Sequence, residues 1–317
     1  MKKLISTNGL GRKEWLLKRK QGITGTDAAA ILNLSPYRSA FSVYQDKLTD
    51  VIDESDNESM RQGRDLEEYV AQRFMQETGL KVRRANAIYY NEEYPFLMAD
   101  FDRLIVGQKA GLECKTVSPY SSEKWADGKI PIHYQIQCQH YLGVSGFDAW
   151  YIAAIIFGSK FIIHKIERDE ELIKNLIACE VHYWNYNILG RHVPNPDGSD
   201  DYSEMLCKQY FNTKKSEIQL FGLEEELKRR DEIKELQEKL DKERKIIEQK
   251  IQLQLGEAGA TNALVGDYRI SWSSVSSQRL DSSRLKLEQP EIYKEYVKES
   301  QIKRFTVKQV KSEKMAA

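Results

Sequence analysis

Asp102, Glu113 and Lys115 are the residues of this chain whose types and spacing could do chemistry. Glu113 and Lys115 lie in a stretch, 112–117, that alternates as a strand does. Their side chains therefore share one face, while Leu112, Cys114 and Thr116 take the other. Residues 103–106 read as extended and 107–111 supply turn residues, so folding the hairpin returns Asp102 to the neighbourhood of Glu113. Two carboxylates and an ammonium then meet at one point of a sheet. Paired carboxylates repel unless a hard divalent cation lies between them, and all-oxygen ligation suits Mg²⁺ or Mn²⁺. A lysine beside such an ion can orient or deprotonate an attacking water, while the metal stabilises charge on a phosphoryl oxygen. The chemistry implied is hydrolysis of a phosphodiester.

The tripeptide Glu-x-Lys by itself says little, because it occurs five times, at Glu113, Glu226, Glu232, Glu243 and Glu248. The last four copies lie in one charged helical run. Only the first sits in a strand pattern with an aspartate just before the preceding strand. The same spacing also describes an ordinary exposed hairpin face, and spacing alone leaves both readings open.

Several elements must hold this hairpin. A short helix is predicted over 14–20, with Trp15 and Leu16 on its apolar side and Lys18, Arg19 and Lys20 at its end. Gly22 and Gly25 follow, and Thr26 and Asp27 can start a helix over 28–32, with Thr26 placed as its N-cap. A helix N-terminus beside a hydroxyl and an arginine suits a phosphate, although a capped helix with a solvated basic face explains the same residues. A helix over 58–77 turns Leu66, Val70, Phe74 and Met75 inward, with Glu67 beside that stripe. Two strands are expected near 81–84 and 87–90. After the hairpin, a Ser-rich loop anchored by Trp125 leads to a helix over 131–142, on which Tyr134, Gln137 and Tyr141 share a face. Gln137 reads there as part of an amphipathic helix's polar rim. Strands over 150–157 and 160–166, apolar enough to be interior, and a helix over 169–189 with an aromatic C-terminal end complete the core.

Five segments in order carry a family resemblance: GITGTDAAAILNLSPY at 22–37, GRDLEEYV at 63–70, LMADFD at 97–102, LECKT at 112–116 and PIHYQIQCQHYLGV at 131–144. With Asp102, Glu113 and Lys115 they resemble the YqaJ-type phage recombinases, the lambda exonuclease-like family of PD-(D/E)xK nucleases. The resemblance implies an α/β restriction-endonuclease-like core, a mixed sheet flanked by helices. It implies that Glu67, Asp102, Glu113 and the Cys114 carbonyl bind Mg²⁺, with Mn²⁺ able to substitute, that Lys115 activates water, and that Gln137 reaches the active site. It matches Arg19 and Thr26 to residues that hold a 5′-terminal phosphate. The activity implied is a 5′-3′ exonuclease on linear double-stranded DNA that leaves a 3′ single strand for an annealing protein of RecT type. Family members close into a ring trimer around DNA. The chain departs from the family at Phe101, where proline is usual, at Cys114, where an aliphatic residue is usual, and at Asp100, a second nearby carboxylate. Register with the family favours Asp102 as the ligand. An endonuclease or repair nuclease on the same core, and a recombination scaffold with a vestigial site, are the competing readings.

Composition is compatible with this. The 317 residues carry 48 basic and 48 acidic side chains, which argues against a general nucleic-acid coat protein but permits a local basic channel. Residues 1–45 hold eight Lys or Arg against two acids, so the N-terminal segment is the electropositive part. The four cysteines, Cys114, Cys138, Cys179 and Cys207, form no C-x-x-C pair, which disfavours zinc and iron–sulfur sites and leaves reduced, mostly buried thiols. No apolar run suits a signal peptide or membrane span, so a cytoplasmic protein is expected. An acidic connection over 49–58 reads as a surface loop. The Pro, Asp, Gly and Ser content of 190–201 suggests a boundary, dividing a nuclease domain, 1–200, from an extension, 201–317. The extension holds a long charged helix over 223–255, whose Ile233, Leu236, Leu240 and Ile247 approximate a heptad seam interrupted at Glu243. It reads as a helical hairpin arm or short intersubunit coil. A hairpin over 263–272, a helix near 290–298 and a basic end over 303–314 follow.

Overall fold

The computed structural model describes residues 1–52, 57–212, 217–298 and 303–308. The chain divides into two units, 1–210 and 211–317. The first unit begins with β1 (Lys2–Ser6), α1 (Arg12–Arg19), α2 (Gly25–Ile31), α3 (Ala40–Leu48) and α4 (Glu58–Thr78). It continues through β2 (Val82–Arg84), β3 (Ala87–Tyr90), β4 (Met98–Asp100), β5 (Arg103–Ile105) and β6 (Ala110–Val117) to α5 (Ile132–Ser145). It closes with β7 (Ala149–Ile156), β8 (Lys160–Glu167), α6 (Glu170–His182) and α7 (Asp200–Gln209).

Five strands form a mixed sheet in the order β2-β5-β6-β7-β8, with only the β6–β7 pair parallel. The expected α/β architecture, a mixed sheet flanked by helices, is what the chain adopts. Period-two alternation divides the sheet's two covers. On one face Leu112, Ala153 and the half-buried Cys114, Tyr151 and Ile155 pack against Val70, Ala71 and Phe74 of α4. On the other, Trp150, Ile152, Ala154 and Ile156 pack toward α5 and its flanks. Both faces of β7 are thus covered, which explains its unbroken apolar sequence. Strand β8, expected to be interior, is instead the sheet's edge, and its exposed Lys160, Lys165 and Glu167 suit that place. Gly111 lies under the Trp150 indole, and a Cβ there would overlap the ring.

Other local features differ from expectation. Strand β1 pairs antiparallel with β3, and β4 completes a three-stranded sheet; nothing in the pattern of 2–6 announced it. Helix α2 starts at Gly25 with Thr24, not Thr26, as its N-cap, because the Asp27 carboxylate returns to accept the Thr24 amide at 3.0 Å and the Thr24 hydroxyl at 2.9 Å. The Ser-rich segment Pro119–Gly128 winds into 3₁₀ turns that bury Trp125. The helix beginning at α6 changes to π-helical turns over Tyr183–Leu189, where Tyr183 and Ile188 are buried but Tyr186 is exposed. On α4, Leu66 and Met75 are half-buried and Ala71 shares the inward face. Cys179 and Cys207 are exposed, so the thiols are not mostly buried; all four are free. Residues 53–56 of the acidic connection lie outside the described residues.

The first unit extends past the Pro- and Gly-rich stretch to Tyr210 because α7 packs back on α3: Phe41 meets Tyr202 edge to face at 5.0 Å, and Ser39 bonds Asp201. The second unit contains the helix α8 (Glu224–Glu257), the hairpin β9 (Asn262–Val265) and β10 (Tyr268–Ser271), and helices α9 (Ser282–Glu288) and α10 (Pro290–Tyr296). Ile233, Leu236, Leu240 and Ile247 on α8 are all exposed. Of the basic end, 309–314 lie outside the described residues.

Candidate active site

The β5–β6 hairpin does what alternation requires. Arg103 pairs with Leu112, so Asp102 comes opposite Glu113. Asp102 Oδ2 accepts the Cys114 amide at 2.8 Å, which ties the residue before β5 to the middle of β6. The neighbouring Asp100 points elsewhere: it accepts from Arg19 Nη1 at 2.7 Å. Glu113 and Lys115 face α5, as their shared parity demands. Lys115 Nζ donates to Glu113 Oε1 at 2.6 Å, and Gln137 Nε2 donates to the same oxygen at 2.7 Å while also reaching the Tyr141 hydroxyl at 2.8 Å. Gln137 is therefore buried against the carboxylate and is not on a solvated rim.

Glu113 Oε2 is buried and has no hydrogen-bond partner among the described residues. Burial, then the charges of Glu113 and Glu67, hold the Asp102 carboxyl well above the usual carboxylate range. Both observations describe negative charge crowded at the hairpin. A hard divalent cation takes such donors: carboxylate oxygens, one of them unengaged. Glu67 lines the same cleft but is turned to Arg103, with which it forms an ion pair from the α4 side of the sheet. Among the described residues, no three His, Cys, Asp or Glu side chains converge as a metal cage. Asp102 and Glu113 are the pair that could hold a cation, with Glu67 near. What the structure shows of Cys114 is its amide on Asp102 and a thiol pushed up by burial and by the surrounding carboxylates, hence protonated. Lys115 is raised above its ordinary value: burial opposes this, but the Glu113 carboxylate outweighs it, so the side chain is an ammonium.

These groups lie in a cleft of about 1760 Å³ that also takes in α1, α2, α3 and the loop between the last two. Its lining carries seven basic and eight acidic residues, so it is not a uniformly electropositive funnel. The basic residues at its N-terminal wall are largely engaged. Asp27, only 1% exposed, accepts from Lys47 at 2.8 Å and Arg38 at 2.7 Å, and those cations hold its carboxyl far below the ordinary range against the cost of burial. Lys20, expected on a solvated face, donates to the carbonyls of Asp46, Thr49 and Val51 at 2.9, 3.1 and 2.7 Å, satisfying the C-terminal end of α3. Arg19 lies over the Trp15 ring at 4.4 Å, with Nη2 at 3.1 Å from the Thr24 hydroxyl and 3.3 Å from that of Thr26. Arg19 and Thr26 are thus brought together, and Arg19, far from Lys115 along the chain, lines the same cleft.

Residues 14–148 match the YqaJ-like viral recombinase domain. Along almost its whole length the chain is similar to a Bacillus subtilis (strain 168) protein, the uncharacterized protein YqaJ: 38% identical over 312 residues, with 97% of each chain aligned. The chain belongs to the YqaJ family. Among solved structures it is similar to an alkaline exonuclease (LHK-Exo) from Laribacter hongkongensis, 19% identical, with a TM-score of 0.49 over 62% of this chain and 98% of that one. It is also similar to a phage related exonuclease from Haemophilus somnus 129PT, 16% identical, with a TM-score of 0.40 over 54% of this chain and 96% of that one. Within this YqaJ-family chain, sequence reasoning placed Asp27 at a helix start but passed over Arg38 and Lys47 and the buried ion pairs that they make with it. The Thr24-x-x-Asp27 spacing is the signal that could have made Thr24 the N-cap and Asp27 its capping-box partner. The partners Arg38 and Lys47 carry no local signal.

Proposed function

We propose that this protein is a metal-dependent deoxyribonuclease that degrades the 5′-ended strand of linear duplex DNA in phage-type recombination. The observation that carries the reading is the convergence of Asp102 and Glu113 across the β5–β6 hairpin, with Lys115 and Gln137 on one Glu113 oxygen and the other oxygen unengaged. Membership in a viral recombinase family supplies the context.

Asp102 and Glu113 would hold Mg²⁺, with Glu67 contributing once it leaves Arg103. When bound, the ion offsets the carboxylate repulsion and supplies electrophilic stabilisation to a scissile phosphate. The chain's own residues do the rest. Gln137 fixes the Glu113 carboxylate from α5, and Tyr141 fixes Gln137. Lys115, an ammonium in this arrangement, is placed to orient water and to stabilise developing negative charge. Arg19 and the Thr24 and Thr26 hydroxyls offer a charge-assisted donor set for a terminal phosphate further along the cleft.

The test is digestion of linear duplex carrying strand-specific end labels, with Mg²⁺ or with chelator, beside a covalently closed plasmid. Loss of the 5′-ended strand only with Mg²⁺, and an intact plasmid, are expected. Nicked or cut plasmid would replace the exonuclease with an endonuclease on the same site. No cleavage of any substrate would leave a scaffold.

A further inference from the structure

Lys115 stands on a four-carbon stem, and a long flexible ammonium must be held from more than one direction to act at one place. Glu113 supplies one contact, at 2.6 Å. The second is the face of Tyr134, whose ring centroid lies 4.8 Å from Nζ. That ring is itself fixed. Trp125 packs against it at 5.5 Å and His133 at 4.0 Å, and the His133 ring in turn meets Tyr37 edge to face at 5.6 Å. Trp125 is only 2% exposed and belongs to the apolar cluster under β7, so the support reaches back to the core. Tyr37 is 76% exposed on the cleft loop before α3. The ring thus lies between a rigid base and the mouth of the cleft.

We propose that Tyr134 is a positioning residue: its aromatic face and the Glu113 carboxylate together fix the Lys115 ammonium, with Trp125 and His133 holding the ring. The inference rests on the nuclease reading for its kinetic consequence, but its geometric content does not depend on cleavage. An ammonium over an aromatic face is attracted by the ring's negative face, and the attraction strengthens where water is excluded. Phenylalanine keeps that face and loses only the hydroxyl. Leucine removes the face.

The test uses the full chain labelled with carbon-13 at lysine Cε, the Lys115 signal being identified by its loss in Lys115→Arg. Ring current should place that signal upfield of other lysines in the unmodified protein and in Tyr134→Phe, and at the ordinary position in Tyr134→Leu. An ordinary position in the unmodified protein overturns the proposal, even if the leucine variant proves too unstable to study. A signal unmoved by Tyr134→Leu overturns it equally. On linear duplex with Mg²⁺, Tyr134→Leu should lower kcat about tenfold at unchanged KM, and Tyr134→Phe should restore most of it. The leucine effect should vanish in a Lys115→Ala background; the same drop there means that Tyr134 acts through packing and not through the lysine. If the unmodified protein cleaves nothing while its Lys115 signal is upfield, the nuclease reading fails and the tyrosine's role in placing the lysine stands.

Discussion

Arg19 donates to Asp100 at 2.7 Å, and this bond separates the roles of two aspartates only one residue apart. Asp100 faces the α1 side and holds the guanidinium, whereas Asp102 turns to Glu113. The guanidinium is kept charged against the cost of burial by Asp100 and Asp27. Asp100 also competes with any phosphate for it. Arg19→Ala should erase most of the preference for a 5′-phosphorylated over a 5′-hydroxyl end in single-turnover initiation. Asp100→Asn, which keeps the shape and removes the competing charge, should enlarge that preference roughly tenfold. Lys18→Ala is the control for a general basic face. Equal rates on both ends for the unmodified chain would remove the phosphate pocket.

Crowded carboxylates make the metal-free site a source of instability. Asp102→Asn should raise the melting temperature of the metal-free protein while abolishing cleavage. Added Mg²⁺ should stabilise the unmodified chain and leave the variant unaffected, because binding to the folded state alone shifts the unfolding equilibrium. Thermal scans with Mg²⁺ or chelator read both effects. Equal Mg²⁺ stabilisation of both proteins would refute Asp102 as a ligand.

Lys115→Ala separates the ammonium from the ligands. It should retain Mn²⁺ binding by calorimetry and lose cleavage by about 10²-fold or more, the scale for removing a group that acts on the attacking water. Joint loss of metal and activity would make the lysine structural.

His140 and Glu180 join α5 to α6 through a fully buried contact of 2.6 Å, and the other ring nitrogen faces the Met98 carbonyl at 2.9 Å. Both ring nitrogens meet acceptors, so the imidazolium is favoured. Burial alone would push His140 down, but Glu180 and the Met98 carbonyl outweigh it and hold it above its ordinary value. The stabilisation is therefore complete below the unfolded value near pH 6.5 and is lost as pH rises through the raised folded value. Urea unfolding at about pH 6 and about pH 9 should show this loss in the unmodified protein. Glu180→Gln should cost about 3–5 kcal/mol at the lower pH and less at the higher one. A variant that keeps the full pH dependence would place its origin elsewhere.

Gly25 opens α2 against α5. A Cβ there would stand 2.6 Å from the Tyr141 ring and 2.9 Å from Gln137 Cγ. Gly25→Ala should therefore destabilise by about 1–3 kcal/mol and displace Gln137 from Glu113. Its kcat should fall even at temperatures where circular dichroism shows the protein folded; normal turnover there would show that the two side chains shift without consequence.

The sequence by itself determined the hairpin, the parity that sends Glu113 and Lys115 to one face, the return of Asp102, and the helices that flank them. Each follows from sterics and hydrogen bonding within a few residues, which a period of two or 3.6 records. Capping was legible too, but read two residues late, since Thr24-x-x-Asp27 and Thr26 offer competing starts and only the returning Asp27 carboxylate chooses. Tertiary structure decided the partners. Arg19 finds Asp100 across 81 residues, Arg103 takes Glu67 across 36, and His140 meets Glu180 across 40. Lys115 gains the Tyr134 face because β6 and α5 pack, and β8 is an edge, with β7 its one partner strand among the described residues. A local window fixes which side of an element a residue occupies. Which opposite charge stands there depends on how distant elements dock, so ion pairing and the environment of each ionisable group belong to the fold.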